Sequence, residues 1–227
     1  MKTNLKSLRA GENSQNRRSR HWLRQREKIL SAAGRLFWQK GYLGTSITDI
    51  AKAANVNKAS VYYYFENKAV LLFEVASRSL QELTESVMSV RELELSPGEK
   101  LRMLIVNHVK WQTSHLGLAG IGQVERRNLP PRLQREYVRS RDQYEAMFRE
   151  VIEEGLVQKE FRPIDPKLAA LFTLGFLNSI IQWFKPSGRL SADEIAIEAC
   201  RFVFEGLRNQ QVPKDRGKEK VEAGTEE

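Results

Sequence analysis

The segment Lys58-Ala59-Ser60-Val61-Tyr62-Tyr63 holds the residue types best suited to recognition chemistry. Wound as a helix, it turns Val61, with Tyr64 and Phe65 beyond it, to one side. Lys58, Ala59, Tyr62 and Tyr63 fall on the other side, with Ser60 beside them. Small side chains at Ala59 and Ser60 let a backbone approach base edges in a DNA major groove. Lys58 can reach a phosphate or a guanine edge, and the Tyr62 and Tyr63 hydroxyls can bond phosphate oxygens. Upstream, Thr45 and Ser46 precede Ile47, Ile50, Ala51 and Ala54, an i, i+3, i+4, i+7 repeat. Hydroxyls and free N–H groups at the start of such a helix suit a phosphate, and Lys68 near the start of the next helix suits the same role. Catalytic chemistry has no comparable signal: there is no glycine-rich phosphate loop, His/Cys metal cluster or nucleophile motif. His108 and His115 share a helix face without clear further ligands, so neither an enzyme, a metal nor a cofactor is expected.

The elements that must position these residues are helical. The fold is expected to be all-α with about nine helices. A three-helix unit carries the helix-turn-helix, followed by a larger helical bundle. Ile29, Ala33, Leu36 and Phe37 stripe a first helix that stops at Gly41. A long fourth helix is expected from about Asn67 to Leu93. Ser96-Pro97-Gly98-Glu99 and Ser191-Ala192-Asp193-Glu194 are capping boxes opening later helices. A Gly-containing loop is expected after His115, then a short segment around 123–128. Pro130-Pro131 precedes a long helix to about Val157, and Asp165-Pro166 caps an uncharged helix to Phe184.

Charge divides the chain. Of its net +9, residues 1–70 carry 14 Lys and Arg against 4 Asp and Glu, while residues 71–227 carry 23 against 24. A basic end on a neutral body points to a polyanion at that end. The domains are read as a flexible basic arm (1–22), a DNA-binding helix-turn-helix (23–70), a ligand-binding and dimerisation domain (71–210) and a disordered tail (211–227). The single cysteine, Cys200, is read as a buried thiol. The charged N-terminus lacks a signal-peptide core, and the uncharged run 168–184 is read as buried between protein surfaces. A cytoplasmic protein without a membrane partner is expected.

The stretch Gly41-Tyr42-x-Gly44-Thr45-Ser46-Ile47-x-x-Ile50-Ala51-x-x-Ala54-x-Val56-x-x-Ala59-Ser60-Val61-Tyr62-Tyr63-Tyr64-Phe65-x-x-Lys68-x-x-Leu71-Leu72 resembles the N-terminal domain of TetR-type transcriptional regulators. That resemblance implies an all-α homodimer, usually a repressor, with a small-molecule effector pocket in its C-terminal half. Carried over residue by residue, the DNA contacts fall on Thr45, Ser46, Lys58, Ala59, Ser60, Tyr62, Tyr63 and Lys68. A common family pattern has glycine or threonine soon after the lysine and histidine before the phenylalanine. This chain has Ala59-Ser60 and Tyr64, which leaves its base preference open.

The resemblance also places an effector pocket among the later helices, where single aromatic residues would otherwise be read as core. His108, Trp111, Tyr144, Phe148, Asn178 and Trp183 are the expected ligand contacts. The segments Phe161-Arg162-Pro163-x-Asp165-Pro166 and Leu177-Asn178-x-x-x-x-Trp183-Phe184-Lys185-Pro186-x-Gly188-Arg189-Leu190 resemble the acyl-CoA-sensing, fatty-acid-degradation subgroup. Arg126, Arg127, Arg132, Arg135, Arg139 and Arg141 could answer CoA phosphates, or form a solvated face balanced by Glu136, Asp142 and Glu145. The expected partners are double-stranded DNA with an inverted-repeat operator, an acyl-CoA or related thioester, and a second copy of the chain through the last two helices. A lipophilic drug or metabolite is the alternative effector. A non-specific architectural DNA binder is the alternative from a different class.

Overall fold

The computed structural model describes the backbone of residues 3–207 and side chains from residue 19 onward. The described residues form nine α-helices and two 3-10 turns. The helices are α1 (Thr3–Lys40), α2 (Ile47–Ala53), α3 (Lys58–Tyr64), α4 (Lys68–Met88), α5 (Pro97–Ser114), α6 (Leu116–Val124), α7 (Pro131–Val157), α8 (Pro166–Trp183) and α9 (Ala192–Leu207). The two 3-10 turns, Ser89–Glu92 and Glu125–Asn128, follow α4 and α6. No helix among the described residues is long and apolar enough to cross a membrane. The expected tail 211–227 lies outside the described residues.

Two expectations about the elements change. The segment read as a flexible arm continues α1 up to Thr3. It contains one glycine and no proline, and adding residues to a helix already nucleated by packing costs little. The loop expected after His115 is helix α6, despite Gly117, Gly120 and Gly122. Glycine lowers helix propensity, but here it permits close approach. A Cβ at Gly120 would fall on the Trp38 indole of α1, and one at Gly122 on the Tyr137 hydroxyl of α7. Helix α6 is therefore seated between the two halves of the molecule.

Two apolar cores result. The smaller gathers Ile29, Ala33 and Phe37 of α1, Ile47 and Ile50 of α2, Val61 of α3, and Leu71, Leu72 and Val75 of α4. Ile121 of α6 and Tyr137 of α7 also enter it from the other half. The larger core is built by α5, α7, α8 and α9 around Leu104, Phe148, Leu177 and Cys200. Leu83 and Val87 at the far end of α4 belong to this second core, so one helix is shared by both. Pairing of Arg26 with Glu74 and of Arg78 with Glu27 ties α1 to α4 along their exposed sides.

Candidate DNA-binding face and effector cavity

Short side chains cap each helix of the reading head. Ser46 Oγ accepts from the Asp49 N–H (3.1 Å), and the Asp49 carboxylate accepts the Ser46 N–H (3.0 Å), completing a capping box. Asn57 accepts from the Ser60 N–H (2.7 Å) and opens α3, and Asn67 accepts from the Val70 N–H (2.9 Å) and opens α4. Between α2 and α3 the chain reverses through Asn55 at φ 54°, a left-handed conformation that asparagine tolerates. Val61 and Phe65 are then buried, while Lys58, Ala59, Tyr62 and Tyr63 face outward. Tyr63 is 73% exposed and packs edge-on to Tyr64. Trp22, placed by the sequence in the arm, lies 5.3 Å from the Tyr64 ring and so buttresses the recognition helix.

The expected DNA-contact residues divide into two groups. Ser46, Lys58, Ala59, Tyr62 and Tyr63 are exposed and Ser60 is half-buried, all on or beside one face. Thr45 is 1% exposed, and its hydroxyl donates to the Gly41 (2.8 Å) and Leu36 (3.2 Å) carbonyls. It therefore cannot offer that hydroxyl to a phosphate; it ties the loop before α2 to the end of α1. Lys68 is partly committed, with its third N–H left for a phosphate. Its ammonium donates to the Tyr42 and Thr45 carbonyls, both at 2.9 Å, and lies 4.2 Å from the centre of the Tyr42 ring. Periodicity could not show this, because the loop's free carbonyls appear only once α1, α2 and α4 are packed. Leu43, beside Gly44 on that loop, is 81% exposed, which the sequence did not single out.

In the second half, a cavity of about 860 Å³ lies between α4, α5, α6, α7 and α8. This is toward the upper end of ligand pockets, which run to roughly 1,000 Å³. Of the residues read as ligand contacts, His108, Trp111, Tyr144 and Asn178 line it. Phe148 and Trp183 do not. Phe148 is fully buried one turn beyond Tyr144, edge-on behind His108, because the α7 stripe dives there into the core. Trp183 ends α8 on its outer side, 51% exposed. Gln112 and Gln123 line the cavity and were missed by the sequence reading. Gln112 stands one turn after His108 on the same apolar face, a placement that could have singled it out.

The cavity wall carries polar groups without partners. His108 Nδ1 is 2.8 Å from the Tyr144 hydroxyl, while its Nε2 has no hydrogen bond. Burial lowers the imidazole pKa to about 3 and raises that of the Tyr144 phenol, so both side chains are neutral. Asn178 Oδ1 accepts from Gln112 Nε2 (3.1 Å) and Gln123 Nε2 (2.6 Å), which leaves Gln112 Oε1 unpaired. Of the six arginines noted in the sequence, Arg126 and Arg141 line the cavity, joined by Arg149 and Lys167. Asp142, Glu145, Glu153 and Asp165 line it too, so its cations and carboxylates are equal in number. Arg149 pairs with Glu153 at 3.1 Å and Glu145 at 3.5 Å.

Residues 29–75 match the family described as bacterial regulatory proteins, tetR family, and residues 94–207 match the tetracyclin repressor-like C-terminal domain. The chain belongs to the TetR family of transcriptional regulators. Among TetR-family relatives, the HTH-type transcriptional repressor KstR2 of Mycolicibacterium smegmatis is 27% identical over 84% of this chain and 94% of its own length. The crystal structure of AibR in complex with isovaleryl coenzyme A and operator DNA is 30% identical. It superposes with a TM-score of 0.75 over 79% of this chain and 98% of AibR. PfmR of Thermus thermophilus is 29% identical, with a TM-score of 0.73 over 78% of this chain and 97% of PfmR. TetR-family membership thus makes the α2–α3 face part of a DNA-binding domain and identifies the chain as a DNA-binding regulator.

Proposed function

We propose that this regulator is a cytoplasmic repressor. It binds an inverted-repeat operator as a homodimer and leaves it when an acyl-CoA or related thioester fills the cavity. One observation carries this reading: α6 touches both input and output. Its Ala119 and Gln123 line the cavity, while Gly120 lies against Trp38 of α1. A ligand that prefers one position of α6 therefore has a physical route to the reading head. The isovaleryl coenzyme A bound by AibR supports a CoA thioester as the class, and Arg126 and Arg141, which form no ion pair among the described residues, are the groups to meet its phosphates.

The second copy is assigned to the outer side of α8 and α9. Leu168, Phe172 and Trp183 make one exposed stripe, and Ile197 and Phe202 extend it. Such a surface is too apolar to leave in water, and a two-fold pairing gives two reading heads that require two half-sites.

The equal numbers of cations and carboxylates around the cavity favour a second reading, a lipophilic drug or metabolite without phosphates. Binding-site selection from random DNA, followed by mobility shift, tests the first level. It should return a palindrome, and Tyr63→Ala or Lys58→Ala should remove binding at physiological salt while fold and dimer persist. Unchanged affinity in both variants would show the reading head to be misplaced. An acyl-CoA should release the operator where the free acid or CoA alone does so poorly. No release and no thermal shift across a panel of thioesters would favour the second reading.

A further inference from the structure

We infer that the group seated against His108 and Gln112 is a hydroxyl, so the effector's acyl moiety is oxygenated rather than plain hydrocarbon. This rests on the cavity being the effector site. His108 and Gln112 are one turn apart on α5, each 1% exposed, and both line the cavity. Each retains one polar atom without a partner.

Neither atom can be satisfied by rearranging hydrogens. With Nδ1 engaged by Tyr144, the neutral imidazole has either an N–H or a lone pair unused at Nε2, depending on its tautomer. Turning the Gln112 amide only exchanges which end meets Asn178, whose oxygen is already shared with Gln123. Neither atom is open to water in the free protein, and a hydrocarbon in the cavity leaves both unpaired, at a cost of about 1–3 kcal/mol each. In the tautomer with the proton on Nε2, where the Tyr144 hydroxyl donates to Nδ1, a hydroxyl accepts from His108 and donates to Gln112 Oε1, so a single small group satisfies both. A carbonyl cannot donate to that oxygen, and an ammonium cannot accept from Nε2.

Calorimetric titration tests this with octanoyl-CoA against (R)-3-hydroxy-, (S)-3-hydroxy- and 8-hydroxyoctanoyl-CoA. At least one hydroxylated thioester should bind about tenfold or more tighter than octanoyl-CoA. Gln112→Leu should erase that preference, so that hydroxylated and plain thioesters bind alike. His108→Phe serves as a second variant if Gln112→Leu does not fold. Equal binding of all four thioesters overturns the inference and leaves the CoA reading standing. A preference that survives in both variants overturns it as well. If no thioester binds, the CoA reading falls, and thermal shift with millimolar octanoate and its hydroxylated forms decides the inference. A larger shift for a hydroxylated acid supports it; equal shifts, or none, overturn it.

Discussion

The imidazole Nδ1 of His108 lies 2.8 Å from the hydroxyl of Tyr144, joining α5 to α7 beneath the cavity, and both rings are buried and neutral. Unfolding releases the imidazole to its ordinary pKa of 6.5, whereas the folded chain resists protonating it until about pH 3. The unfolded state therefore binds the extra proton between those values. The His108 contribution to stability is whole above pH 6.5 and is lost as pH falls, at about 1.4 kcal/mol per unit. Replacing His108 with Gln should remove this part. Between pH 7 and pH 5 the stability difference between wild type and variant, from urea unfolding, should shift by about 2 kcal/mol in the variant's favour. An identical pH profile for the two would refute the buried neutral imidazole.

Lys58 and Lys68 should separate cleanly. Lys68→Met deletes two hydrogen bonds to loop carbonyls and should lower stability by about 2 kcal/mol, because charge-assisted bonds of this kind are worth roughly 1.5–3 kcal/mol. Lys58→Ala should leave the melting temperature within a degree or so, since surface changes of this kind stay within about 0.5 kcal/mol. Its residual low-salt binding should show a salt dependence shallower by about one phosphate contact. The reverse pattern would exchange their roles.

Gly120→Ala places a methyl group on the Trp38 indole. Overpacking of this kind costs about 1–3 kcal/mol, and Trp38, partly exposed, is the group that must move. Thermal melting should show the loss, and Trp38→Leu in the same chain should recover most of it. A double variant no more stable than Gly120→Ala alone would argue against this contact.

Phe172, 67% exposed at the centre of the α8 stripe, is the place to break the proposed dimer. Phe172→Glu should give a monomer by sedimentation with unchanged helicity. Operator affinity should fall by two orders of magnitude or more, because linked half-sites gain about 10²–10⁴ from effective concentration. A dimer that persists would move the interface elsewhere.

Helices with strong stripes or caps were legible in the sequence. Ser96 and Ser191 each stand where a capping box forms, and the outward face of α3 follows from its spacing alone. What escaped depends on contacts distant in the chain. The Thr45 hydroxyl looks like a phosphate ligand until α1 leaves carbonyls for it to satisfy, and Lys68 spends two of its three N–H groups on loop carbonyls. The glycines of α6 look like a loop until Trp38 and Tyr137 occupy the space a Cβ would need. Trp183 and Phe148 share a periodic stripe with cavity residues, and only packing decides which member of a stripe faces a void.

The sharing of α4 by two cores makes it a lever. Its 21 residues span about 32 Å, with Leu71 and Leu72 held at one end and Leu83 and Val87 at the other. Across such an arm, a tilt of about 5° at the cavity end displaces the far end by nearly 3 Å, close to the rise of one base pair at about 3.4 Å. In the proposed dimer the two displacements would combine, so a modest deformation near a bound ligand would put two reading heads out of step with the helical repeat of an inverted-repeat operator.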